Sequence, residues 1–297
     1  MPEAGEEPRP GYPSAVELRG VGDGEPEGVA TSASAPPPPA AAPVAPGAAP
    51  GAAPAPGAAG APDAVVLHSS VLDTIGEEIT GGALPEGHVL TLEQIRERFG
   101  VSRTVARETM RILESMGLVR SRRRVGITVQ PRASWNVYDP RVIWWRLSGP
   151  GRNAQLRSLT ELRIAVEPLA AGAAARSASA AERERATEIA ATLRALGEAG
   201  DLDRFLAADI AFHTLLLQAS GNEMFGALAD VVAVVLQGRT QLGLMPHHPE
   251  PEALALHEAV ADAIAGGRAR DAETAMRELL AEVRHAMLPL WEPRTRR

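Results

Sequence analysis

Cysteine is missing from this chain of 297 residues, which excludes disulfides, thiolate metal ligands and cysteine nucleophiles. Lysine is missing too, so all 30 basic side chains are arginine. Alongside the abundant Ala, Gly and Pro, this reads as codon composition more than mechanism. Aromatics make up 3% of the residues, and three of the 4 Trp fall in one stretch, Ser134 to Leu147. No run of about 18 apolar residues occurs, so no membrane span is expected. The opening MPEAGEEPRP is acidic and Pro-bearing without an apolar centre, unlike a secretory signal; a soluble cytoplasmic protein is the expectation. P-loop, dinucleotide and nucleophile-elbow patterns are absent. The net charge of −7 argues against general attraction to nucleic acid, so any such affinity must come from a local patch.

The length suits two modest domains. Residues 1–63 form an Ala/Pro/Gly-rich extension expected to be disordered, because Pro removes backbone donors and Ala alone builds no core. Order is expected from about Asp63. Val71, Leu72, Ile75 and Ile79 make a helical stripe, ended by Gly81 and Gly82. Thr91 is suited to cap a helix from Leu92 to Phe99, which Gly100 breaks. Ser102 is suited to cap the next helix, running to about Met116 and stopped by Gly117. LVRSRRR and VGITVQP alternate across a turn and predict a small hairpin. A linker follows at 133–152, and its tryptophans should pack on one or both neighbours. From 153 to 292 every periodic segment is helical and the connections are short, as in an antiparallel bundle. The expected fold is mainly α: a winged helix-turn-helix of three helices and a hairpin wing (64–132), then an all-α bundle of six to seven helices.

The first unit carries the features of a DNA reader. Ser102, Arg103, Thr104 and Arg107 lie at the start of the second helix of the pair, with Arg111 one turn on. Positions 103, 107 and 111 share one face. Guanidinium groups fork onto guanine O6 and N7 or onto phosphate. Val105, Ile112, Leu113 and Met116 take the other face. The wing adds Arg120, Arg122, Arg123 and Arg124, and Gly126 offers backbone that can approach a sugar-phosphate edge.

GVSRTVARETMRILESMGLV followed by GITV resembles the winged helix-turn-helix of the GntR regulators. The resemblance covers about 64–130. It implies that Arg103, Thr104 and Arg107 face bases or nearby phosphates, and that Arg111 is structural or phosphate-bound; Thr91 and Ser102, at the starts of the two helices, are counted with the DNA-binding residues. Two positions of the bracing helix depart from the family pattern: Glu93 stands where a DNA-contacting Arg is usual, and Arg96 where a small residue is usual. The operator should differ accordingly.

In the bundle, Asp209 and His213 lie four apart on one helix and His257 lies on another. One carboxylate and two imidazoles suit zinc, nickel or manganese, although an Asp-x-x-x-His pair also suits an ordinary helical contact. ELRIAVEPLAAGAAA, ADIAFHTLLLQASGNEMF and LHEAVADAI resemble the FCD effector-binding domain of the FadR branch of GntR regulators, over about 155–290. That resemblance implies a metal on Asp209, His213 and His257. The fourth family ligand falls at Leu279, which cannot serve, and His285 is nearly two turns further on. It also implies pocket roles for Arg163 and Glu167, with the Arg163 fork holding a carboxylate, where the plain alternative is a helical Arg–Glu pair. Asn222, in the SGN turn, is placed at the cavity edge; Arg239 could add a second cation, its direction left open by helical phase. SWNVYDPRVIWWRL is similar to the segment after the wing in repressors of galactonate utilisation, which implies a sugar-acid effector. Together these readings describe a homodimeric, non-enzymatic repressor. It would bind a pseudo-palindromic operator and leave it when a small carboxylate binds the bundle. The rival readings are a metal-dependent hydrolase on Asp209, His213 and His257 with Glu258 as base, and a DNA binder without effector.

Overall fold

The computed structural model of the chain describes residues 61–244 and 249–291. The extension expected up to residue 60 lies outside the described residues, as do His247 and His248. Helix α1 (Ala61–Thr80) begins inside the expected extension and buries Val71, Leu72, Ile75 and Ile79, the stripe read from the sequence. Helix α2 (Leu92–Phe99) starts in a capping box: Gln94 N donates to Thr91 Oγ1 at 3.2 Å and Thr91 N donates to Gln94 Oε1 at 2.9 Å. Helix α3 (Arg103–Ser115) is capped by Ser102, whose Oγ accepts from Val105 N at 3.3 Å.

The sheet has one strand more than the sequence predicts. Strands β2 (Val119–Arg122) and β3 (Gly126–Val129) make the expected hairpin. The short β1 (Val89–Leu90) adds to the other edge of β3, giving the order β1-β3-β2. Two residues carry too little alternation to announce a strand. This addition also gives Gly126 an internal reason. Its φ is +107°, and an added Cβ would lie 2.9 Å from Val89 Cγ1 and 3.1 Å from Leu90 O.

Gly117 ends α3 at φ +74° and meets the chain entering the linker; an added Cβ would lie 2.1 Å from Ser134 O. Gly100 has a similar φ of +65° but open space around it. Gly100→Ala therefore carries only the left-handed backbone penalty of about 1 kcal/mol, whereas Gly117→Ala adds a backbone clash and should lose more than about 2 kcal/mol. Urea melts of the two variants compare these directly, and equal losses would contradict the packing.

The linker is itself structured. After a 3-10 turn (Arg132–Ser134), helix α4 (Pro140–Ser148) is capped by Asp139, which accepts from Arg141 N at 2.9 Å. Trp144 and Trp145 are fully buried. Trp145 Nε1 donates to Asp73 Oδ1 of α1 at 3.0 Å, and Gly76 lies flat under the ring, where a Cβ would approach to 2.5 Å. One apolar core joins α1, the sheet and α4 to Val231, Val234 and Val235 of the bundle. The linker packs on both neighbours, as its tryptophans suggested.

The bundle consists of α5 (Arg152–Ser177), α6 (Ala180–Ala199), α7 (Leu202–Ala219), α8 (Glu223–Gly226), α9 (Ala229–Gln241), α10 (Pro251–Ala265) and α11 (Ala269–Trp291). The segment expected as one helix from Glu223 is split between α8 and α9. The overall architecture is the expected one, a winged unit with a small antiparallel sheet followed by an all-helical body. Helices α5, α7, α9, α10 and α11 bring polar side chains together in the interior of that body. No helix among the described residues is long and apolar enough to cross a membrane.

Candidate functional site

Two places concentrate chemistry. On the winged unit, α3 buries Ala106, Thr109, Met110 and Leu113 and half-buries Val105 and Ile112. Its other face leaves Arg103, Thr104, Arg107 and Arg111 exposed, as expected. Arg120, Arg122, Arg123 and Arg124 extend the exposed arginines along the wing. None of these except Arg111 forms an ion pair with a described residue. Elsewhere on this unit arginines are neutralised. Arg96 pairs with Glu93 at 2.8 Å, Arg98 with Glu78, and Arg111 with Glu108 at 3.4 Å. The two departures noted in the bracing helix are thus partners of each other. Arg124 sits at the wing tip with φ +67°, a left-handed conformation that costs a non-glycine residue about 1 kcal/mol or more. Thr91 has a local reason in its capping box, and its side chain is exposed beside α2.

The second place is a cavity of about 90 Å³ in the bundle, lined by Arg163, Asp209, His213, Arg239, His257 and Leu279 among others. All six are buried. Glu167 lies behind Arg163 and takes the fork that the sequence reading reserved for an effector. Arg163 Nε donates to Glu167 Oε1 at 2.6 Å and Nη2 to Oε2 at 3.2 Å, leaving Nη1 buried without a partner. Arg239 is the more telling cation. It is 7% exposed, its Nε has no hydrogen-bond partner, and it forms no ion pair with a described residue. Helical phase had left its direction open; the fold turns it to the cavity. Asn222 is a correction: it is exposed, caps α8 by accepting from Met224 N at 3.0 Å, and does not line the cavity. The sequence reading also missed Phe205 of α7, Glu250 just before α10 and Glu282 of α11, which line the same cavity from separate segments and so show no common spacing.

Asp209, His213 and His257 converge, with one ligand atom from each lying within 4.8 Å of the others. His257 Nδ1 lies 2.7 Å from Ala253 O, and His213 Nδ1 lies 2.7 Å from Glu167 Oε2. Both partners are acceptors, so both Nδ1 atoms carry the proton. The two Nε2 atoms then face Asp209 Oδ1 at 3.3 Å (His213) and 3.2 Å (His257), and His213 Nε2 also lies 3.3 Å from the Arg163 Nη2 donor. Lone pairs facing a carboxylate repel unless a proton or metal cation sits between them. An acceptor on the far ring nitrogen, Nδ1, is the usual support of a metal-ligating imidazole. Tetrahedral zinc bonds of about 2.0–2.1 Å also set ligand atoms roughly 3.3 Å apart. The three residues fit a divalent ion. Leu279 is buried at the cavity wall and His285 is exposed, so neither completes the set.

Charge inside this cluster is arranged against burial. Burial pushes the Glu167 carboxyl up, but Arg163 and His213 outweigh it and hold it at about 2. Burial likewise opposes ionisation of Asp209, and its hydrogen bonds to His213 and His257 hold it well below the usual carboxylate range. Burial lowers His213, yet Glu167 and Asp209 together raise it. Burial, and then the Arg163 charge, bring Arg239 down to about 10 against a smaller upward pull from Asp209. Burial and the charges of Glu252 and Glu250 push Glu282 up. The depressed carboxyls add stability above about pH 4.5 that fades as pH falls toward 2, and the raised His213 adds stability below about 6.5 that fades as pH rises. With chelator present, the melting temperature should therefore be highest in the weakly acid range, between about pH 4.5 and 6.5. A monotonic rise from pH 5 to 8 in that buffer would contradict this electrostatic arrangement.

Comparison with known proteins bears on both places. Residues 67–129 match the family described as bacterial regulatory proteins, gntR family, and residues 158–282 match the FCD domain. The galactonate operon transcriptional repressor of Escherichia coli is 32% identical over 202 residues, covering 65% of this chain and 85% of the relative. The chain belongs to the gntR family of bacterial regulatory proteins. An uncharacterised HTH-type regulator of Mycobacterium tuberculosis is 31% identical over 180 residues, 60% of this chain and 72% of its own length. Among solved structures, E. coli McbR/YncC aligns over 76% of this chain and 99% of its own, at 16% identity and a TM-score of 0.46.

As a GntR-family member, the chain is a DNA-binding transcriptional regulator with an FCD effector-binding domain, not an enzyme. The hydrolase alternative also loses its base. Glu258 is held by Arg194 of α6 in a two-pronged ion pair, and it does not line the cavity that His257 lines.

Proposed function

We propose that this GntR regulator is a homodimeric repressor of the FadR branch that holds a pseudo-palindromic operator and leaves it when a small carboxylate enters the FCD cavity. Residues 64–132 would read DNA, 133–152 transmit and 153–292 sense. In this reading Ser102, Arg103, Thr104 and Arg107 meet bases and adjacent phosphates in the major groove, and Arg122, Arg123, Arg124 and the Gly126 backbone meet the flanking strand. Arg111, partly neutralised by Glu108, is a phosphate contact at most.

The observation that carries the sensing half is Arg239, a buried guanidinium without a counter-ion beside an internal cavity. Such a charge is costly until an anion arrives. The free Nη1 of Arg163 adds a second donor. Asp209, His213 and His257 would hold zinc, nickel or manganese, whose positive charge supplies a further grip on a carboxylate. One cavity neighbour also touches the linker: α9 carries Arg239 toward the cavity, while the adjacent Gly238 faces Leu147 of α4, where a Cβ would approach to 2.8 Å. Displacement of α9 by ligand would therefore press on the linker helix, and that helix is bonded to α1 through Trp145 and Asp73.

A cavity of about 90 Å³ has room for a short hydroxy acid as it stands. A longer sugar acid, the effector class suggested by the galactonate repressor's name, needs the rim at Pro249, Glu250, Glu282 and Val283 to open. A thermal-shift panel of aldonates, uronates, short hydroxy acids and dicarboxylates, run with zinc and with chelator, tests the reading. A carboxylate that raises the melting temperature by several degrees and releases DNA is the expected result. A panel in which no carboxylate does either overturns it.

A further inference from the structure

A second cavity, of about 610 Å³, lies away from the sensing centre, between the linker and the first bundle helix. Its lining includes Val137, Tyr138 and Arg146 from the linker side and Gln155, Leu159 and Leu162 from α5. Arg146 is 8% exposed and forms no side-chain hydrogen bond or ion pair with a described residue. Gln155 is 2% exposed, and its Oε1 has no partner. A buried amide oxygen is expensive to leave unsatisfied. Beside it, a largely buried arginine without a counter-ion among the described residues turns its charge to the cavity, and the two together suit a polar occupant. The exposed Arg132 and Ser158 add polar groups at the mouth, the remaining wall is mainly apolar, and Val137 and Tyr138 remain 40% and 54% exposed at its edge.

We infer that this cavity is a second ligand site, taking an organic carboxylate with an apolar body such as an aryl or branched aliphatic acid. The carboxylate pairs with the Arg146 guanidinium, where a charge-assisted bond is strongest. The apolar body lies against Val137, Leu159, Leu162 and the Tyr138 ring. The site differs in kind from the core cavity, which is smaller and walled by imidazoles and charged groups. Its position gives it a consequence. A ligand held by Arg146 of α4 and by α5 ties the linker to the sensing body, so it would alter the DNA-competent geometry independently of the core cavity.

Isothermal titration of the full chain with 3-phenylpropionate tests this. Ser158 lines the same cavity from an exposed position on α5, so Ser158→Leu fills the mouth without disturbing the core. The wild type should bind the probe saturably. Ser158→Leu and Arg146→Gln should each bind at least about tenfold more weakly, the loss of a charge-assisted contact or of the space itself. Arg239→Met, which alters the core cavity, should bind within about twofold of wild type, so a failure here is distinct from failure of the core site. Three outcomes overturn the inference. One is absence of saturable binding to the wild type at millimolar probe. Another is binding that survives Ser158→Leu but is lost in Arg239→Met. The third is a change in the sedimentation of the unliganded chain on Ser158→Leu, which would make the cavity a contact between two copies.

Discussion

Arg103→Ala and Arg107→Ala each weaken operator binding by about tenfold to a hundredfold at fixed salt, and the double variant loses more. The size follows from the contact: a bidentate arginine–guanine pair is worth about 1–3 kcal/mol. The fold should not suffer, because both side chains are exposed and neither has a hydrogen-bond or ion-pair partner among the described residues to abandon. The salt dependence separates the two kinds of contact. If an arginine reads a base, its loss relaxes sequence preference; if it holds a phosphate, the slope of log affinity against log salt becomes shallower by about one. Arg111→Ala serves as the internal comparison. Its guanidinium already has Glu108, so the expected change is smaller than for either of the others. Anisotropy titrations of labelled promoter DNA over a range of salt read all three. An Arg111 effect exceeding that of Arg103 and Arg107 would move the reading face around the helix.

Arg239→Met stabilises the unliganded chain while abolishing its response to carboxylate. These opposite signs share one cause. The fold lowers the pKa of Arg239 to about 10, chiefly through burial and then through the Arg163 charge. A base whose folded pKa lies below its unfolded value is destabilised when charged, at every pH below the folded value, so the penalty is present in full at neutral pH. It amounts to a few kcal/mol, on the order of 1–4. Methionine fills comparable space without charge, so the variant should melt several degrees higher. The same change removes a buried cation that forms no ion pair among the described residues, and carboxylate affinity should fall by about a hundredfold or more. Melting curves with and without ligand measure both effects. A variant that melts lower and still binds would mean that Arg239 is a structural residue.

The winged unit was largely legible in the sequence because its information is local. The α1 stripe, the Thr91 and Ser102 caps, the glycine stops and the 103–107–111 spacing each follow from neighbouring residues. What escaped was decided by contacts distant in sequence. The β1 strand is two residues long and exists because β3 is beside it. Gly126 is set by that same neighbour. In the bundle, spacing grouped Asp209 with His213, and residue type set His257 of another helix beside them as a third candidate, a set whose ligand atoms the fold brings within 4.8 Å. No spacing rule could reveal that Glu167 consumes the fork of Arg163, that Asn222 is spent on a cap, or that Arg239 is left without a counter-ion. Those are statements about which side chains fail to meet, and they need the packed interior. The size of the cavity, which favours a short acid over a long one in this form, was equally out of reach.

The most direct measurement is release of promoter DNA by a carboxylate, followed by anisotropy in the wild type and in Arg239→Met at one salt concentration. DNA should be bound by both proteins with similar affinity and displaced by the carboxylate from the wild type alone. Displacement of equal extent and midpoint from both would contradict an anion sensed at Arg239, and with it the link between the buried cavity and the arginine face.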